Sequence, residues 1–314
     1  MVMMPFDRRR ALRYGLGSLW IFDALLKLQP AMFHAFLISN VLAPAATDSQ
    51  PAWLFSLMMV GAKLWIHLGT WSNVLNFSVE LLLGVLILLG PDRPAGRAGL
   101  WLSIFWGAVL WIFAEGLGGL VSGSPTIIQG SPGSAPFYML AAGLLLAPQA
   151  SWAKERLRHA ARWGMGGFWL VAFFWQVLPS SGFWSGQGLA AQFGDVTMNG
   201  QEPRWLQMAI NAVVMSSQAH PVPENALYSA ILLLLAGLSI WAPGARLTWL
   251  LEFGWLLFLW AIPQAFGTLL TGTGTDPGML WPFALLAVTL LGGSQRAVAK
   301  HSRRDRAVTA KNAP

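Results

Sequence analysis

Long apolar runs separated by short loops of Pro, Gly and Arg set the pattern of this chain. Runs of this length suit a membrane span, which needs about 20 predominantly apolar residues. In the first half they fall at residues 11–29, 74–89, 100–120 and 135–146, the last of them short. A further apolar segment, 53–71, holds Lys63 and His67 and has tryptophans at 53, 65 and 71. Tryptophan favours the membrane–water boundary, so this segment reads as a helix lying at the surface or dipping into it. Continued straight into 74–89, it would form a helix of about 60 Å, twice the hydrocarbon thickness, and a bend is therefore expected within 67–73.

Composition agrees with a membrane protein. Hydrophobic residues make up 55% of the chain, charged residues 11%, and the mean hydropathy is +0.53. Soluble domains carry about 25% charged residues. The absence of cysteine excludes disulfide exchange, thiolate metal sites and iron–sulfur clusters as chemistry of the chain alone. The 12 methionines show no clustered ligand motif beyond Met58 and Met59, and His67 and His220 are too isolated to hold a haem, so no metal site is expected. The net charge of +7 lies in loops and tails without interleaved aromatics, which argues for topology signals and against nucleic-acid binding. MVMMPFDRRR and the run after it lack a small-residue cleavage site, so the first run is expected to be a retained span.

Sliding the sequence by 149 residues, from Gly15 to Gly164, aligns the two halves. The shift pairs Arg13 with Arg162, Trp20 with Trp169, Pro30 with Pro179, Asn76 with Asn225, Arg97 with Arg246, Trp106 with Trp255 and Thr126 with Thr275. A chance likeness would scatter its offsets, so two tandem four-span units are expected. Basic residues cluster before the first run (Arg8, Arg9, Arg10, Arg13), around Arg93 and Arg97, between the halves (Lys154 to Arg162), at Arg246 and in the tail. The alternate loops around Asp48, Ser124, Asp195 and Asp276 have almost none besides Arg204. The positive-inside rule then puts both termini in the cytoplasm and requires an even number of spans. The expected fold is all-α: eight transmembrane helices in two parallel four-helix repeats plus a surface helix, with units 1–150 and 151–295 and a basic cytoplasmic tail 296–314. The lipid bilayer of the cell's inner (plasma) membrane is its expected surroundings.

This orientation gathers charges in the outer half of the first unit. Asp23 and Lys27 stand four apart on one helix face, Glu80 lies roughly 10 Å below the outer surface, Glu115 comes near the end of the third run, and His67 sits just above them. Ionisable residues at membrane depth are costly and point to function. At the shifted positions stand Ala172, Gln176, Ser229, Gln264 and Ser216, so the second unit reads as a structural partner with its site neutralised. Each residue also has a bland reading: Asp23 and Lys27 as a self-neutralising pair, Glu80 as a protonated carboxyl against Asn76, Glu115 as a solvated interfacial group, His67 as an ordinary surface histidine.

The first half, with RYGLGSLWIFDALLKLQPAMF, VELLLGVLILLG and PDRPAGRAGL, is similar to the DoxX/DoxD-like family of four-span bacterial membrane proteins. The likeness rests on a Gly-containing first span ending at Lys27, and on a second span opening with Glu80 and closing in an arginine loop at Arg97. The resemblance implies a four-helix fold and association with an oxidoreductase partner that passes electrons to quinone, as in thiosulfate:quinone oxidoreductase. This chain departs from the family by being duplicated. The expected function is a membrane component of a redox system that binds quinone noncovalently, with Glu80 and Asp23 accepting protons and Lys27 anchoring the head group. The alternative is a transporter or assembly factor for a cation or a proton-coupled solute, using the same carboxylates.

Overall fold

A computed structural model describes residues 7–33, 50–152, 155–194 and 202–292. The loop acids Asp48 and Asp195, Lys154 and the tail 296–314 lie outside the described residues. The described residues form helices joined by loops, without a strand. The first half contributes α1 (Arg8–Leu26), α2 (Ala52–Leu68), α3 (Thr70–Leu89), α4 (Pro94–Phe113) and α5 (Ala135–Leu146). The second contributes α6 (Glu155–Val177), α7 (Gly186–Gly194), α8 (Arg204–Ala219), α9 (Pro221–Trp241), α10 (Arg246–Ala261) and α11 (Leu280–Leu291). Three of these, α3, α4 and α9, are long and apolar enough to cross a bilayer. The number rises to four if α10 and the bent turn Ala265–Thr271 count as one span.

The bend expected within 67–73 falls at Gly69, which separates α2 from α3 at φ +54°, a left-handed conformation that glycine adopts without a Cβ penalty. The third apolar run shifts relative to expectation. α4 starts at Pro94 and stops at Phe113, because Pro fits the first turn of a helix and the Gly116–Gly119 segment leaves the helical region at Leu117 and Gly118. Glu115 is therefore in a loop between helices.

Helix α1 packs on α3 where glycines face each other. A Cβ on Gly84 would come within 2.7 Å of the Gly17 carbonyl oxygen and 2.5 Å of Ile21. Such close approach is how helices gain van der Waals contact in lipid, where no hydrophobic force separates lipid from protein. A shared core joins the halves: Trp20, Tyr138, Trp169 and Phe283 are all buried in it, and Phe137 stacks edge-on against both Phe168 and Phe283. The outer surface carries Trp71, Trp101, Phe105, Phe174, Trp241 and Leu250, all exposed.

Many contacts of the first half recur in the second. Trp20 Nε1 donates to Ser103 Oγ at 2.9 Å, and Trp169 Nε1 to Glu252 Oε1 at 3.1 Å, both partners lying 149 residues on. The constant shift fails elsewhere. Asn73 Nδ2 donates to the Lys27 carbonyl, and Asn225 Nδ2 to the Gln176 carbonyl, so α3 and α9 match at 152 residues. Buried positions follow this register: Asn76 matches Tyr228, Leu83 matches Leu235 and Gly84 matches Ala236. The helices before them agree, with Pro51 and Pro203 as N-caps and Leu54 and Leu206 fully buried. Three residues gained before α8 are lost again after α9, where the connecting loops are equal at four residues but α10 starts at Arg246, the counterpart of Arg97 and not of Pro94; this leaves the offset at 149 on both sides and hides the slip from a sliding comparison. By this register Glu80 corresponds to buried Leu232, not Ser229, and His67 to Ala219, not Ser216.

Candidate functional site

Lys27 caps the C-terminal end of α1, one turn after Asp23, and both are buried. On α3, Glu80 shares a face with Asn73 and Asn76, a buried polar stripe eight residues long in the first half of a mostly apolar helix. Packing α1 on α3 brings these groups together. Lys27 Nζ lies 3.3 Å from Glu80 Oε2, with the two side chains 4% and 1% exposed. The expected pairing within α1 gives way to this one, because Lys27 at the helix end reaches across to α3. Asp23 Oδ1 is left buried without a hydrogen-bond partner, facing the Tyr138 hydroxyl.

These groups line one side of a cavity of about 370 Å³. Its other walls are apolar and aromatic: Trp20 from α1, Val60, Leu64 and Trp65 from α2, and Trp106, Val109 and Phe113 from α4. Trp65 Nε1 and Asn76 Oδ1 are buried without a hydrogen-bond partner, while the Tyr138 hydroxyl faces Asp23 and the Trp106 indole faces Glu80 without closing a well-formed hydrogen bond. Unmet polar atoms of this kind are costly in an apolar setting and mark where a ligand or water belongs.

Glu115 lines the same cavity, but its Oε1 is held by the start of α5. It accepts from Ser134 N at 3.0 Å, Ser134 Oγ at 2.7 Å and Ala135 N at 3.2 Å, and so caps that helix. Burial, with Asp276 beside it, pushes the Glu115 carboxyl up to about 7 against the pull of those donors. His67 is exposed in the last turn of α2 and is not among the residues lining the cavity. The structure thus gathers Asp23, Lys27, Glu80 and Glu115 and leaves His67 outside.

The sequence reading missed two members of the site. Asp276 comes from the second half, on a loop that also accepts from Lys27 Nζ at the Thr275 carbonyl and from Gln29 Nε2 at the Gly274 carbonyl, 3.0 Å away. Tyr138, one of three tyrosines, is a lone hydroxyl in the short apolar α5. The signal for Asp276 lay in Thr275, which stands 149 residues after Thr126 and so marks the loop as comparable.

At the corresponding places of the second half the charges are gone: Ala172, Gln176, Leu232 and Gln264 are neutral, and in the last helices, where the buried positions of α5 and α11 match at 145 residues, Phe283 stands in the place of Tyr138. Gln176 is satisfied by Asn225 at 2.7 Å. That half is nevertheless not free of buried acid, contrary to expectation. Glu252 on α10 is buried beneath Trp169, at the place of Ser103, a position that carries no charge in the first half and so escaped the comparison. Among the described residues no group of three or more His, Asp or Glu is arranged to hold a metal. No family model, no curated protein and no solved structure matches the chain.

Proposed function

We propose that this chain is a tandem-duplicated, DoxX-like membrane protein whose N-terminal half binds the head group of a quinone and couples it to a partner oxidoreductase. The observation that carries the reading is the cavity under α2, whose apolar and aromatic walls hold unpartnered donors and unpartnered acceptors side by side. A quinone offers two carbonyl oxygens to the donors Trp65, Trp106, Tyr138 and Lys27. Its reduced form offers two hydroxyls to the acceptors Asp23 and Asn76. The volume lies within the range of about 300–1,000 Å³ usual for small-molecule sites, most of whose lining is hydrophobic with a few placed polar groups.

In this reading the recurring contacts come from duplication of one unit, and both halves cross the bilayer four times, giving eight spans with the termini inside. α1 and α6, at 19 and 23 residues, reach about 28 and 35 Å, enough to cross despite the arginines at their starts. α5 and α11 have 12 residues each, about 18 Å, and complete their crossings with the loops before them. The second half has kept the frame and filled the site: Val109 of the cavity wall corresponds to Phe258, which packs against Phe193, Tyr228 and Trp255. Organic extraction of the purified protein followed by mass spectrometry tests the reading. A quinone recovered with wild type and depleted in Glu80→Gln supports it; wild type carrying none, also after incubation with quinone-loaded vesicles, contradicts it.

A further inference from the structure

A second cavity, of about 330 Å³, adjoins the first and has a different character. Ser122, Ser124, Gln129, Ser131 and Gln264 line it, with backbone of the Gly118–Gly119 and Gly130–Gly133 segments. Glu115, Ser134 and Asp276 line both cavities, so they form the wall between a polar vestibule and the apolar chamber that holds Lys27, Glu80 and Asp23. Of these three, Glu115 is engaged as the cap of α5, and Ser134 belongs to that cap.

Asp276 is held differently. Its Oδ1 accepts from Gly278 N at 2.7 Å and its Oδ2 from Thr275 Oγ1 at 3.4 Å, both within its own loop, and it is partly exposed. Its loop is fastened over the buried ammonium through the Thr275 carbonyl, and the Trp260 indole ties the following Pro277 carbonyl at 2.8 Å. The exchange between halves is mutual. The loop of the first half reaches into the second, where Thr126 Oγ1 donates to Gln192 Oε1 at 2.7 Å and lies 3.5 Å from Gln176 Oε1. There the residues after the threonine are Ile127 and Ile128, both fully buried. One loop closes its site with two isoleucines; the other presents a carboxylate.

We infer that Asp276, supplied by the C-terminal half, is the proton relay of the N-terminal site: it passes protons between the polar vestibule and the chamber of Asp23, Lys27, Glu80 and Tyr138. A buried acid or amine that changes its proton needs a route to water, and here the route crosses a wall whose one carboxylate not committed to a helix cap is Asp276. The buried, unpartnered Asp23 Oδ1 gives the route an end point inside. The inference holds for any occupant of the chamber, and it makes the second half a working part of the first half's site.

The test follows hydrogen–deuterium exchange of the Tyr138 hydroxyl by infrared spectroscopy after a rapid transfer of the purified full chain into D2O. The tyrosine bands are assigned with Tyr138→Phe. Asp276→Asn should slow the exchange by roughly a hundredfold, the usual worth of a positioned acid–base group. Asp276→Glu should restore most of the rate, and the melting temperature of each variant shows that the fold is kept. Exchange in Asp276→Asn at the wild-type rate overturns the inference, and so does equal slowing in Asp276→Glu, which would trace the effect to loop geometry. Quinone content, measured separately, has no bearing on either outcome.

Discussion

Replacing Lys27 by Gln copies what the second half already does at Gln176, and it isolates the weight of the buried ion pair. Removing the ammonium leaves Glu80, at 1% exposure, without its counter-charge. It must then stay charged without a partner or take up a proton. At pH 7, protonating a carboxyl of ordinary affinity costs about 3–4 kcal/mol, at 1.36 kcal/mol per pH unit above roughly 4.3. That matches the ~3–5 kcal/mol typical when one member of a buried pair is removed. At pH 5 the same proton costs only about 1 kcal/mol, so the destabilisation should shrink as the medium is acidified. The introduced amide has a ready partner in Asn73 Oδ1, which is unpartnered here, just as Gln176 donates to Asn225. Adding Glu80→Leu, the residue found at Leu232, should therefore bring the double variant back to within about 1 kcal/mol of wild type. Unfolding by SDS titration in mixed micelles, followed by circular dichroism, measures all three. A single-variant cost below about 1 kcal/mol at pH 7, or a double variant as unstable as Lys27→Gln, refutes the reasoning.

Two further outcomes are expected. Glu115 has a value raised to about 7, so its favourable share of stability is full below the ordinary carboxyl range and is lost as pH rises through 7. The melting temperature of wild type should accordingly fall relative to Glu115→Gln between about pH 5 and pH 8, and a pH-independent difference would remove the argument. Gly84→Ala should cost about 1–3 kcal/mol in the same SDS titration, because its Cβ meets the Gly17 backbone, whereas Leu82→Ala on the exposed face of the same helix should cost less; equal costs would deny the close approach of α1 and α3.

What the sequence made legible was whatever repeats along it. The all-helical character and the break before α3 follow from apolar blocks and helix length, which are local quantities, whereas the gathering of Asp23, Lys27, Glu80 and Glu115 was read from their spacing together with the orientation given by the basic loops. The three-residue slip between α3 and α9 was hidden because Asn76 and Asn225 make a persuasive match, whereas Asn73 is the residue with the equivalent bond. Asp276 was hidden for another reason. It belongs to a loop 248 residues from Lys27 by the bond of its neighbour Thr275; the match of Thr275 to Thr126 marks the loop, but nothing in the spacing announces that it crosses to the other half's site. Glu115 shows the limit of reading charge from depth alone: its nearness to the other charges was foreseen but its place in a loop past α4 was not, and its commitment to the start of α5 depends on backbone donors that no spacing rule reveals.

The central claim is that the chamber of the first half binds a quinone head group, and three of its lining residues, Trp20, Trp65 and Trp106, report on their own surroundings. Titration of the purified protein with a short-chain quinone, followed by intrinsic tryptophan fluorescence, tests it most directly. The account predicts saturable quenching in wild type and an apparent affinity weaker by about tenfold or more, that is at least ~1.4 kcal/mol, in Val109→Phe, which copies Phe258 and fills the chamber. Quenching that does not saturate, or that is the same in Val109→Phe, contradicts it.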